Sequence, residues 1–335
     1  MPQTTTSPVV ANRYDFVYFF DCKDGNPNGD PDMANTPRFD PETFQGIVTD
    51  VCLKRKIRDY VFALKSQGGE PEHGYDIYVL QGHSLESRQE MSYKHLELKE
   101  VNASDSESEE GADNSEEEPA KDKKGKRFKQ EDAETIKKAR KWMCENFFDV
   151  RAFGAVMSIK RFNCGQVRGP VQMTFSRSID RVLSTQHGIS RVNQTKEKDQ
   201  IEKGGAGTFG DKHTIAYGLY VTHGFINPFL ADPQRKGTGF NEADLDILWK
   251  ALTNMFDMDR SASRGLMGCR GLWVFKHDSP LGNAPAQKLF DLVQVLQVPP
   301  SEKPARDFSD YKDRIIAPQD GSVPGFSGVS VKRLA

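Results

Sequence analysis

Three carboxylates, Asp24, Asp30 and Asp32, lie close together in the run DGNPNGDPD. A loop carboxylate can hold a metal or act on the 2′-hydroxyl of an RNA. The same residues are equally well explained by turn formation, since Asx side chains bond to nearby backbone, Gly and Asn accept positive φ, and Pro lacks an amide donor. Downstream, Lys54 and Arg58 stand one helical turn apart and project together, off the apolar stripe. Paired cations behind a polar, backbone-exposing loop suit a phosphate chain lying across the surface. The plainer alternative is a solvated helix face. Residues 205–210, GAGTFG, match GxGxxG, but a dinucleotide loop needs a strand before it and a helix after it. Polar KDQIEK precedes this run and strand-like HTIAYGLYV follows it, so the nucleotide reading fails. GxxxxGK[ST], HExxH and GxSxG are absent from the sequence. The seven histidines are dispersed; His213 and His223 flank a strand and read as structural or RNA-facing. Five cysteines without a CxxC pair fit neither a disulfide framework nor a zinc site, and suit a reducing cytoplasm.

The elements that must position these groups follow from pattern. Residues 13–20, RYDFVYFF, read as a buried strand. A helix is expected after the loop, with Asp40 or Thr43 as cap, Pro41 in its first turn, and Leu53, Ile57, Tyr60 and Leu64 on its buried face, ending at Gly68 and Gly69. Residues 75–80 form a short strand candidate. Residues 131–146 are helical, with Ile136, Ala139, Trp142 and Met143 as the stripe. Residues 150–159 have sheet-like composition, and Gly154 within them marks a close backbone approach. Residues 171–179 alternate as a half-buried strand should. A polar excursion over 184–212 carries a glycine cluster, and structureless loops of that length are functional or disordered. Residues 214–222 are strand, 242–255 helix with Leu245, Leu248, Trp249 and Leu252 inward, and 272–276 strand. The tail, 299–335, reads as irregular. Strand–helix–strand repeated twice is the split βαβ, ferredoxin-like arrangement.

The chain has 335 residues, 36% hydrophobic and 10% aromatic, enough for a real core. Its formal charge is −2, but residues 102–119 hold eight acids and no base; the rest carries 46 bases against 40 acids, a net of +6. The folded part is therefore basic, with an acidic appendage. Residues 101–130 cannot bury enough apolar area to offset ordering and are expected to be a mobile inserted loop. Its basic end, Lys121 to Lys129, either folds back on the acids or reaches nucleic acid. No apolar run approaches the ~20 residues that span a bilayer, and the start, MPQTTTSPVV, lacks the pattern of a signal peptide.

NPNGDPDMANTPRFD followed by TDVCLKRKIRDYV, RVNQTKEKD from Arg191, and KHTIAYGLYVTHGFI from Lys212 together closely resemble the backbone subunit of the type I-C CRISPR surveillance complex, Cascade. That family belongs to the repeat-associated, RRM-like superfamily. The resemblance covers most of the chain apart from the acidic insert, which departs from the core family. It implies an α+β fold: one ferredoxin-like, RRM-like domain over 1–335, a palm with inserted fingers and a hairpin thumb within 184–212. It implies a non-catalytic subunit, without cofactor or metal, that polymerises along a CRISPR RNA (crRNA) and holds the spacer for pairing with target DNA. Partners would be crRNA, target DNA through it, adjacent copies, the large subunit and the pre-crRNA-processing subunit.

Residue by residue, Lys54 and Arg58 match the phosphate-contacting helix, with Arg38 in the loop feeding it. Phe153, Gly154 and Met157 match a segment lying against RNA bases. Residues 191–213 would be the thumb, bringing Arg191, Phe209, Lys212 and His213 to the RNA, with Ile201 and Phe209 as apolar wedges. Arg260 and Arg264, in RSASRG, are RNA contacts or inter-subunit salt bridges. Relatives in type III complexes cut RNA with a loop aspartate, which is the enzymatic alternative for this chain.

Overall fold

The computed structural model describes residues 7–101, 130–159, 161–191, 208–299 and 303–335. The insert over 102–129, Ile201 and the middle of the expected thumb lie outside them. In chain order the main elements are strands β1 (Tyr14–Gly25) and β2 (Gln45–Val48), helices α1 (Asp50–Lys65), α2 (Leu85–His95), α3 (Gln130–Asn146) and α4 (Phe148–Phe153), and strands β3 (Gly154–Met157), β4 (Gly165–Arg168), β5 (Ser176–Arg181), β6 (Ser184–Arg191) and β7 (Thr208–Ile226). Helix α5 (Glu242–Met258) and strands β8 (Leu266–His277) and β9 (Val329–Arg333) complete them. The chain divides into two compact units. Among the described residues, no helix is long and apolar enough to cross a membrane.

The larger unit, residues 12–60, 173–226 and 248–335, is built on β1. Tyr14 to Cys22 are all buried, because β1 is an interior strand covered on both faces. It pairs antiparallel with β7 on one side and β8 on the other. The sheet runs β9–β8–β1–β7–β5–β2. With α1 between β1 and β5 and α5 between β7 and β8, the central four strands have the 4-1-3-2 order of a split βαβ unit, as the pattern predicts. One face buries Val17, Phe19, Tyr217, Leu219, Trp273 and Phe275. On the other, Phe20 stacks on Tyr220 at 5.3 Å and meets Phe256 of α5 at the same distance. Tyr18 donates its hydroxyl to the Leu252 carbonyl at 2.6 Å. Polar Asp15 is buried as well, bonded to His277 at 2.9 Å.

The smaller unit comprises residues 1–11, 61–172 and 227–247. Its core joins Tyr78, Tyr93, Met143, Phe147, Met157, Phe162 and Cys164 around α2, α3 and the β3–β4 hairpin. Arg151 crosses it to Asp244, with paired bonds of 2.7 and 2.8 Å, and also donates to the Cys144 and Gly74 carbonyls.

Four expectations are corrected. The helix does not begin near Pro41: Asp40 accepts from the amides of Glu42 and Thr43, but the turn it caps leads into β2, and α1 starts at Asp50 behind Thr49, whose hydroxyl accepts from the Cys52 amide. Its inner face runs Leu53, Ile57, Val61, while Leu64 is exposed. Residues 75–80 form no strand, only a single bridge from Asp76 to Phe147. Residues 150–153 are helical, since buried Asp149 and Arg151 anchor that turn by side-chain bonds that composition does not show. The tail is ordered in part: β9 pairs with β8, and residues 308–314 form a 3₁₀ turn capped by Asp307.

Candidate nucleic-acid interface

The loop from Asn26 to Phe44 is braced from within. Asn26 donates to the Asn35 carbonyl at 2.7 Å, and Asn28 accepts from both the amide and the hydroxyl of Thr49. Gly29 pairs with Pro37 and Asp30 with Thr36, and Ala34 and Asn35 close the turn in the left-handed region. Asp30 accepts the Asp32 amide with one carboxylate oxygen and Arg38 with the other, at 3.1 Å each. Of the three acids, Asp30 is thus engaged in holding the loop, with Arg38 half-buried against it, while Asp24 and Asp32 are exposed.

Helix α1 presents its cations unequally. Lys54 is tied to Asp50 one turn earlier at 2.9 Å, a partner that the spacing argument did not weigh. Arg58, on the same side, is half-buried. Arg55 is the more exposed cation and bridges Asp59 at 3.6 Å. Lys56 points inward: only 2% exposed, it pairs with Asp259, and burial pushes its ammonium down to about 8.

Asp259 also holds Arg264 at 3.2 Å, while Arg260 bonds to Asp257 and to the Met267 carbonyl. The RSASRG turn therefore has its arginines bridged within the chain. Its backbone lies against the end of β1: a Cβ on Gly25 would sit 2.1 Å from the Arg264 carbonyl oxygen, so only glycine fits there. The Asn26 amide donates to Ser263 at 2.7 Å, joining this turn to the Asn-Pro-Asn-Gly loop. Lys212 donates to the Ala262 carbonyl of the same turn.

β6 and β7 pair without a break from Ser184 with Ile215 to Arg191 with Thr208. The polar excursion over 184–212 starts and ends as a two-stranded ribbon. Residues 185–190 are exposed, so neither face of β6 lies on the core. Arg191 and Phe209 sit on opposite strands near its far end, and half-buried His213 pairs with Gln186 near its base.

In the smaller unit, Gly154 has φ +79°, and a Cβ there would lie 2.4 Å from the Gly169 nitrogen and the Val167 oxygen. The close approach read from sequence is present, between two stretches of this chain. Phe153 is buried and Met157 fully so, within the core; the side chain exposed beside them is Val156, at 68%.

Four of the five cysteines are unreactive as placed. Burial pushes the Cys22 and Cys144 thiols up to about 12 and those of Cys164 and Cys269 to about 11, so none is an available thiolate. What sequence reading missed is a pair of exposed rings: Phe39 and Phe44 stack at 6.2 Å and 7° beside Arg177 and Arg181. Their spacing gave no periodic signal, because the pairing depends on Phe44 taking φ +59°.

The family described as CRISPR-associated protein Cas7 matches residues 12–316. The CRISPR-associated protein Cas7 of Haloferax volcanii is 26% identical over 279 residues, covering 78% of this chain and 68% of the relative. Among solved structures, a chain of a CRISPR RNA-guided surveillance complex, pre-nicking, aligns over 78% of both chains at 13% identity and a TM-score of 0.44. A chain of the type III-B Cmr-beta complex bound to cognate target RNA aligns over 78% of this chain and 61% of its own, at 9% identity and a TM-score of 0.35. With the match running through nearly the whole described fold, the chain belongs to the CRISPR-associated protein Cas7 family.

Proposed function

We propose that this chain is the non-catalytic backbone subunit of a type I-C surveillance complex, Cascade, which oligomerises along crRNA and presents its spacer to target DNA. The observation that carries the reading is the family match over residues 12–316, which takes in the cationic helix, the braced loop and the ribbon. In this reading α1 and its loop supply phosphate contacts through Arg38, Lys54 and Arg58, and sequence is read by base pairing rather than by the protein. The β6–β7 ribbon is the thumb. Eight paired positions at about 3.3 Å each give it a reach of roughly 25 Å. An isolated two-stranded ribbon is marginal in water, which favours one that gains order against RNA or a neighbouring copy. Arg191, Phe209, Lys212 and His213 lie along it, while Arg260 and Arg264 brace its base and the loop more than they reach outward. In the smaller unit, the bases would meet the surface at Gly154 and Val156, with Phe153 and Met157 supporting from the core.

Asp30 has both oxygens engaged, which favours holding RNA over the type III style of cleavage. Recombinant protein should copurify with RNA and release it as salt rises. Replacing residues 193–210 by a short Gly-Ser linker should leave a folded, soluble monomer that no longer forms ordered arrays on guide RNA. Metal-dependent cutting of complementary RNA would overturn the non-catalytic reading, and protein free of RNA under all conditions would overturn RNA binding itself.

A further inference from the structure

Phe39 and Phe44 are 39% and 47% exposed, yet their rings lie parallel, 7° apart, with centroids 6.2 Å from each other. Stacking hides part of each ring from water but leaves an apolar π-face exposed. The arrangement is built by the backbone: the Phe44 amide donates to Asp40, the Asp40 amide to Gln45, and the Phe44 carbonyl accepts from Val182. Phe44 adopts φ +59°, a left-handed conformation that a bulky residue takes only at a steric cost. A strained residue that keeps an aromatic ring in solvent is an outlier pointing to function.

The surroundings indicate what the rings meet. In the pairing of β5 with β2, Arg177 stands opposite Ile47 and, past an irregularity in register, Arg181 stands opposite Gln45; both arginines are exposed, and Arg181 directly precedes Val182, whose amide donates to the Phe44 carbonyl. Arg177 bridges Asp40 at 2.8 Å and holds its carboxyl below the usual range. Arg181 is exposed and, among the described residues, its guanidinium has no partner. Stacked rings beside an uncommitted guanidinium are the two halves of a single-strand site: a π-face for a base and a cation for the phosphate next to it.

We infer that the Phe39–Phe44 pair is a stacking platform for an unpaired base of a single nucleic-acid strand, with Arg181 on the adjoining phosphate. This rests on the proposed guide-holding role but uses the sheet edge at β2 rather than the cationic face of α1. The strand is RNA or DNA; the chemistry is shared, and the test separates them.

The probes are short RNA and DNA oligonucleotides, each also made with abasic residues, and titrated against full-length protein. Phe39→Leu with Phe44→Leu retains apolar bulk and removes the π-faces; thermal melting checks that it folds, and Arg181→Gln serves as a second variant outside the strained turn. On natural strands the double variant should bind at least about tenfold more weakly, the scale of base–aromatic stacking. The wild type should lose a similar factor on abasic strands, whereas the variant should lose little more. Arg181→Gln should instead flatten the log–log salt slope by roughly 0.7 on either strand. Whichever of RNA and DNA shows the larger abasic penalty is the strand that the platform serves. Equal affinity of the double variant and wild type for natural strands would overturn the platform while leaving the guide-holding role intact. Loss of self-assembly without loss of affinity for short strands would also overturn it, by making the rings a surface between copies. If the wild type binds no strand at all, both readings fall.

Discussion

Arg151 and Arg181 contain the same guanidinium but have opposite surroundings. Arg151 lies in the smaller unit, 7% exposed at its side chain, with Asp244 fully buried opposite it and three carbonyls taking further donors. Arg181 is exposed beside the sheet edge of the larger unit. Lys56 and Lys54 repeat the contrast within one helix, the first turned into the protein against Asp259 and the second toward Asp50 near the surface. The lesson is that a basic chain divides its cations between holding itself together and meeting an anion. Burial of the base itself separates the two tasks: Lys56 is 2% exposed and Lys54 14%, although Asp259 is no more buried than Asp50.

The sharpest way to break that division is Arg151→Met. It leaves Asp244 buried and charged, with little beyond backbone amides to meet it, and should cost about 3–5 kcal/mol in denaturant unfolding. A loss below 1 kcal/mol would mean that the pair is dispensable.

Lys56→Met should cost much less, because Asp259 is partly exposed and keeps Arg264. Here pH sharpens the comparison. Lys56 titrates near 8 in the folded protein and near its ordinary, higher value when unfolded. Between those values the unfolded chain holds a proton that the folded chain has released, so stability should rise as pH climbs from about 8 toward 10. Lys56→Met should lack this increment relative to wild type; parallel pH profiles would show that Lys56 is not the group.

Lys54→Ala with Arg58→Ala should barely move stability, since an i, i+4 surface pair is worth about 0.3–0.5 kcal/mol. It should flatten the RNA salt slope by roughly 1.4, at about 0.7 per phosphate contact. An unchanged slope would remove both residues from the interface.

The smallest effect is expected from deleting residues 102–119. Shortening a loop to this extent changes closure entropy by less than about 1 kcal/mol, and losing eight negative charges should leave RNA affinity equal or modestly higher. Unfolding or loss of assembly on deletion would make the insert a structural element.

Much of this fold could be read from the sequence where one physical signal dominated. The run RYDFVYFF could only be an interior strand, and α3 and α5 carry clear apolar stripes. Gly154 foretold its backbone contact because no other residue fits there. Where side chains compete with pattern, legibility failed. Helix α2 is mostly polar and hides Gln89 and Ser92 in the interior, bonded to Met157 and Gln89 carbonyls, so it showed no stripe. The start of α1 was misplaced because Asp40 offers the same capping chemistry to a turn as to a helix. The candidate site suffered in the same way: spacing located Lys54 and Arg58 but could not show that Asp50 already holds Lys54, nor that RSASRG bridges its arginines locally.

The pairing of β1 also sets a timetable for synthesis. Tyr14 is made long before its neighbours in the sheet, Ile226 and Lys276. At about 5–20 residues per second, the aromatic strand waits roughly 10–50 s on the ribosome for the second of these. During that wait it is an apolar segment with unpaired edges, the kind that seeks another chain. Expression slowed by rare codons between β7 and β8 should therefore raise aggregation more than the same slowing placed after β8.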